Sequence, residues 1–201
     1  MTDAPSLEAQ PGSGVLDAWV PLGLLDFDPA TPVPVVETQG LTPVRLAWHQ
    51  GRLCEPKPLT TDQSPPSRMV LPRLVDCHVH LDKAYTWQDH PNLRGSYGGA
   101  LDANLEEHNT RTVGSVLQRG ERALKRAYGH GLRAVRSHVD SGGPGAEPSW
   151  DALLTLQQRW RSRIDLQLVA LVPLAFWGSA EADALARRVA ASGGCLGGVL
   201  T

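Results

Sequence analysis

The sequence predicts an α/β fold, and three observations carry that expectation. Apolar or alternating segments at 69–78, 132–140, 165–173 and 195–200 read as strands. Helical patterns run between them, the clearest being Val113, Val116, Leu117, Leu124, Ala127 and Tyr128, which recur at helical spacing before the stop signals Gly129 and Gly131. Repeated strand, helix, strand order then implies parallel strands joined by helical crossovers.

Each segment has a local reason. Residues 1–14 are polar and rich in Pro, Gly and Ser, and are expected to form a disordered tail. Residues 15–68 read as a small β unit and linker: apolar stretches broken by prolines, a hairpin between 43–48 and 49–53, then a polar segment with three prolines at 57–67. Residues 69–201 hold about four βα units. Within them, 85–99 reads as a loop, and Ser141-Gly142-Gly143-Pro144-Gly145 as a flexible turn after the second strand. Ser149 is the expected N-cap of a helix over 150–162, and Ser179 that of a helix ending at 191, closed by Gly193 and Gly194. Ligands gather at the carboxyl ends of parallel strands, where His78, His80, Asp140 and the 173–178 loop fall.

Composition excludes several classes of function. With 19 basic and 21 acidic residues the formal charge is -2, although arginine far outnumbers lysine. No field favours nucleic acid or an anionic membrane, so neither is an expected partner. The N-terminus lacks the basic and apolar regions of a signal peptide, and the longest apolar run, around 166–177, is too short to span a bilayer. Cys54, Cys77 and Cys195 are odd in number, far apart and without a CxxC pair. That argues against a disulfide framework and a thiolate zinc site, and for a reducing cytoplasm.

His78 and His80 are the leading candidates for chemistry. Separated by one residue at the end of the first strand, they share a face and can converge on one divalent metal, zinc or iron, both of which accept neutral imidazole. Two imidazoles are half of a coordination shell, because catalytic zinc takes about three protein ligands plus water. His138 and Asp140 alternate likewise on the second strand, either to contact substrate and brace the first pair or as a buried polar pair satisfied internally. Lys83 either reaches the same strand end or pairs with Asp82 in solvent. His49, His90, His108 and His130 fall in turns, loops or helix ends and are assigned no role, while Trp87, Trp160 and Trp177 read as packing anchors.

Residues 72–83, Pro-Arg-Leu-Val-Asp-Cys-His-Val-His-Leu-Asp-Lys, resemble the first-strand metal motif of the amidohydrolase superfamily, specifically the cytosine deaminase-like branch with its H-x-H-L-D-K signature. Residues 92–100 are similar to that branch's N-x-S-G-T loop, with Arg94 where serine is usual. Val-Arg-Ser-His-Val-Asp at 135–140 is similar to the R-T-H-V-D second strand, and 164–170 to the third. The resemblance implies the first half of a (β/α)8 TIM-type barrel preceded by a small β-sandwich unit. It implies His78 and His80 as ligands of one zinc or iron ion, and Lys83, Asn92, His138 and Asp140 as substrate-binding residues. The implied reaction is attack of metal-activated water on a C–N bond of a nucleobase-like or other cyclic amide or amidine, releasing ammonia or an amine. Cytosine itself fits poorly. Where cytosine-specific enzymes carry a glutamine after the third strand, this chain reads Val172-Pro173-Leu174, which leaves a polar base edge unpaired.

A closed barrel needs about 250 residues, and residues 70–201 provide 132. The chain is therefore expected to carry only the first metal motif, with no catalytic residue of its own, as the N-terminal portion of a hydrolase. Its alternative is a catalytically silent truncated homologue acting as a metal-binding or interaction module. An open sheet edge further predicts a homo-oligomer or a complementing C-terminal half.

Overall fold

The computed structural model describes residues 12–28, 30–34 and 39–200, so most of the expected tail lies outside the described residues. Two compact units divide at Pro72 and Arg73. In the first, β1 (Gly14–Pro21) runs antiparallel to β2 (Leu41–His49), and β2 also pairs with β3 (Arg52–Leu53) and β4 (Lys57–Pro58). Ala18 and Val20 of β1 and Val44 and Leu46 of β2 supply its core, the period of two expected of a half-buried sheet. The expected hairpin forms, turning at Gln50 and Gly51 with φ of 50° and 73°. Both central residues are left-handed, as a two-residue hairpin turn requires. Among the described residues this unit has one sheet.

The second unit is built on a parallel sheet in the order β5 (Leu74–Val79), β6 (Leu132–Asp140), β7 (Asp165–Leu171), β8 (Cys195–Leu196). Four helices accompany it: α1 (Tyr97–Thr110), α2 (Val113–Gly129), α3 (Ala146–Trp160) and α4 (Ala182–Ala191). Val135 and Val139 of β6 and Leu166, Leu168 and Ala170 of β7 pack on Trp150, Leu153, Leu156 and Trp160 of α3 and on Val116 and Leu124 of α2. By strand alternation Arg136, His138 and Asp140 lie on the opposite face of the sheet.

Several boundaries differ from expectation for local reasons. β5 starts at Leu74 rather than 69, because Pro72 has no amide to donate and Met69 bridges to Trp19 in the first unit. β7 ends at Leu171 and β8 at Leu196; beyond them Pro173 and Val199 meet in an isolated bridge. Gly145, not Ser149, caps α3, and the helix begins at Ala146; Ser149 lies one turn in and donates its hydroxyl to Gly145 O at 2.7 Å. α4 starts at Ala182 after Glu181, and Ser179 makes no cap bond. Trp160 is a core residue as expected, but Trp87 is exposed.

One whole helix is missing from the sequence reading. α1 opens where a loop is expected, at Tyr97, with Ser96 accepting the Gly99 amide as N-cap. Its inward stripe is Asn104, Glu107 and His108, continued by Arg111 just past its end. That is a helical i, i+3, i+4, i+7 pattern written in polar residues, so a search for apolar periodicity passes over it.

Candidate functional site

The carboxyl ends of β5 and β6 bring the predicted histidines together. The rings of His78 and His80 meet edge-on with centroids 5.3 Å apart, and His138 stacks on His78 at 4.0 Å and lies 5.9 Å from His80. His80 Nδ1 lies 3.0 Å from the carbonyl oxygen of His138. A carbonyl only accepts, so Nδ1 carries the proton and Nε2 keeps a free lone pair. Burial and the Lys83 charge hold His80 below its usual imidazole pKa, and burial with the neighbouring His78 and His80 does the same for His138. Both effects favour neutral rings, the form that binds a cation.

Beside the histidines sits a chain of ion pairs. Both carboxylate oxygens of Asp140 accept Lys83 Nζ at 3.0 Å, and Asn104 Nδ2 lies 3.5 Å from the same group. Lys83 pairs with Asp140, therefore, and not with its neighbour Asp82. The Asp82 side chain is fully buried, accepting the Asp140 backbone amide at 2.9 Å and Arg111 at 3.1 Å. Arg111 also bonds Ser149 Oγ at 2.9 Å and Glu107, which is shared with Arg119. Burial and the adjacent Asp140 charge push the Asp82 carboxyl up, against Arg111. Burial acts the same way on Asp140, but Lys83 and Arg111 outweigh it and hold that carboxyl low.

Four consecutive residues thus go to four environments. His80 follows the last residue of β5, Leu81 enters the core, Asp82 turns to Arg111 and Lys83 to Asp140. A 3-10 turn over Leu81–Lys83 separates them, held where the Leu81 amide donates to Ser137 Oγ at 3.0 Å.

Asn92 is not drawn into this group. Its side-chain amide donates to Ser96 O at 2.9 Å and packs on the first turn of α1. His108, expected at the surface, is buried with Nε2 between Gly142 O (2.8 Å) and Gly145 N (3.1 Å), and so ties α1 to the loop after β6. Asp82, Glu107, Arg111 and Ser137 were also missed. The available signal was the polar stripe of α1, together with the aspartate between Leu81 and Lys83.

The donor set fits part of a metal site. His80 offers Nε2 while a backbone carbonyl orients its other nitrogen, the usual arrangement of a ligating imidazole. His78 is its ring neighbour. Among the described residues no three His, Cys, Asp or Glu side chains converge in a metal-holding arrangement, so the pair would supply at most part of a shell.

No protein-family model matches the chain. Over 133 residues it is 38% identical to a pterin deaminase of Rhizobium rhizogenes (strain K84), covering 65% of this chain and 30% of that enzyme. The similarity is to enzymes of the amidohydrolase superfamily. A second amidohydrolase relative, the N-isopropylammelide isopropyl amidohydrolase of Pseudomonas sp. (strain ADP), is 26% identical over 128 residues, covering 60% of this chain and 31% of the enzyme. The chain thus spans about 30% of the length of these curated relatives.

The fold agrees. 5-Methylcytosine deaminase from Klebsiella pneumoniae, liganded with 5-fluorocytosine, superposes with a TM-score of 0.59 at 20% identity over 79% of this chain and 36% of that one. N-isopropylammelide isopropylaminohydrolase from Burkholderia multivorans gives 0.55 at 21% identity over 90% and 43%. Both share the mixed α/β fold with its parallel sheet. No helix among the described residues is long and apolar enough to cross a membrane.

Proposed function

We propose that this chain is part of a metal-dependent hydrolase that deaminates, or removes an amine from, a cyclic amidine or amide. The observation that carries the reading is the His80 ring, fixed through Nδ1 to the His138 carbonyl with Nε2 free beside His78. One divalent ion, zinc or iron, is the cofactor that imidazole ligands of this kind suit. When bound, such an ion lowers the pKa of water and stabilises charge growing at the attacked carbon. His78 and His80 would hold it, and His138 would wall the site by stacking on His78. The Lys83–Asp140 pair supplies a fixed donor and acceptor at the mouth, suited to the alternating polar edge of a nucleobase-like substrate. Asn92 would act on substrate through the loop it shapes before α1.

On this reading the parallel sheet is the opening of a (β/α)8 barrel, the antiparallel unit belongs to a flanking β-sandwich, and residues 15–68 and 69–201 are the two folded segments. A cytoplasmic setting, and self-association or a complementing chain at the open sheet edge, complete the proposal. At the end of β7 Val172 is buried and Leu174 exposed, so no side-chain amide is offered there and cytosine is disfavoured.

The test loads purified chain with zinc or ferrous iron, removes excess metal and counts what remains by mass spectrometry, alongside ammonia release from pterins and other cyclic amidines. Weak retention, lost in His80→Ala and His78→Ala, is expected, with no turnover by the chain alone. Retention unchanged in both variants would refute the site. Robust turnover abolished by His78→Ala would show that the remaining ligands lie within the chain, and metal binding without turnover in any complemented form would favour a silent metal-binding module.

A further inference from the structure

The sequence motifs leave Arg111 unassigned, yet more of the site's polar groups meet there than at any predicted residue. Its guanidinium is fully enclosed. NH1 donates to Asp82 Oδ2 at 3.1 Å and to Ser149 Oγ at 2.9 Å, Nε donates to Glu107 Oε2 at 3.0 Å, and NH2 bonds Glu107 while lying 3.5 Å from Asp140 Oδ2. α1, α3 and the ends of β5 and β6 are thereby joined at one planar fork.

We propose that Arg111 is the positioning residue of the Lys83–Asp140 pair. It holds Asp140 in two ways: directly through NH2, and through Asp82, whose carboxylate accepts the Asp140 backbone amide at 2.9 Å. Asp140 in turn fixes Lys83 Nζ with both oxygens. Asp82, Glu107 and Asp140 balance Lys83, Arg111 and Arg119, so the network is neutral as a whole and each member is compensated. Its inner members are sealed, whereas Lys83 and Asp140 are 23% and 16% exposed. A network made only for packing has no reason to end in an accessible cation held by two carboxylate oxygens beside His80. Only a planar fork reaches Asp82, Glu107 and Ser149 together; a lysine at position 111 delivers the charge to one point.

The inference rests on the function proposed above only in taking Lys83 for a site residue, and its test needs neither metal nor turnover. The chain has three lysines, Lys57, Lys83 and Lys125, so amine acetylation followed by peptide mass spectrometry reads each separately. Lys125 is 69% exposed and serves as internal reference. In the unmodified chain Lys83 should label roughly tenfold more slowly than Lys125, as a charge-assisted bond to two oxygens requires. Arg111→Lys and, separately, Glu107→Gln should raise the Lys83 rate by about threefold or more relative to Lys125, with the far-ultraviolet circular dichroism unchanged. A structural role alone would lower the melting temperature and leave that ratio where it was. The proposal is overturned if Lys83 labels as fast as Lys125 in the unmodified chain, a result that needs no variant to fold, or if the ratio is unmoved in either folded variant.

Discussion

Ser137→Ala offers a direct reading of how the first and second strands hold the histidine turn together. Ser137 is fully buried on β6, and its Oγ accepts the amide of Leu81, itself 4% exposed, at 3.0 Å. Alanine removes the acceptor and leaves that amide sealed from water without a partner. The cost of such an orphaned donor is about 1–3 kcal/mol, against about 1 kcal/mol for an ordinary hydrogen bond that water can replace. The cavity left by one hydroxyl is too small to hold a compensating water. Urea denaturation should therefore show a loss of about 1–3 kcal/mol at unchanged m-value, and amide exchange should show lost protection at Leu81. Thr155→Ser, on the exposed side of α3, is the control and should fall within about 0.5 kcal/mol of the parent. Stability within that same margin for Ser137→Ala, with Leu81 still protected, would refute the assignment of the turn's anchor to this hydroxyl.

Other expectations follow from the same packing. Burial raises the Glu107 carboxyl, but Arg111 and Arg119 overcome it and hold the group below its ordinary value. Its contribution is thus complete above the unfolded pKa of about 4.3 and disappears as pH falls through the lower folded value; Glu107→Gln should flatten the stability–pH curve in that acid window, measured by denaturation from pH 2 to 6. Gly145→Ala should destabilise by about 1–3 kcal/mol, since its Cβ would fall 2.5 Å from His108 O, whereas Gly142→Ala meets nothing within 4 Å and should be silent in the same melt. Trp150, fully buried with its indole donating to Ser141 Oγ at 3.0 Å, should cost about 3–5 kcal/mol on replacement by alanine.

Legibility in the sequence tracked the kind of contact each residue makes. β6 and α2 were readable to within a residue because apolar alternation and the Val116–Leu124 stripe are driven by burial against one core. The histidines are readable because alternation along a strand suggests a shared side, whereas the Lys83–Asp140 pair joins the ends of two strands and is visible in neither alone. α1 was not, since the partner its stripe meets is an ion network and not the apolar core. Ser149 looked like a cap because serine usually is one; here its hydroxyl is needed inside, by Arg111. Asp82 is one of two expected partners for Lys83, and only the 3-10 turn after His80 shows that adjacent residues point apart.

The polar stripe of α1 also bears on how such a chain tolerates mutation and selection. Replacing a buried Arg–carboxylate cluster by apolar residues of equal volume is often neutral or stabilising, by about 1–4 kcal/mol, so a screen for thermal stability alone would favour erasing Glu107, Arg111 and Asp82. Such a variant would fold well and keep His78 and His80, while Lys83 lost its anchor. Engineering this scaffold for robustness would release the Lys83–Asp140 pair first, without any warning from a melting curve.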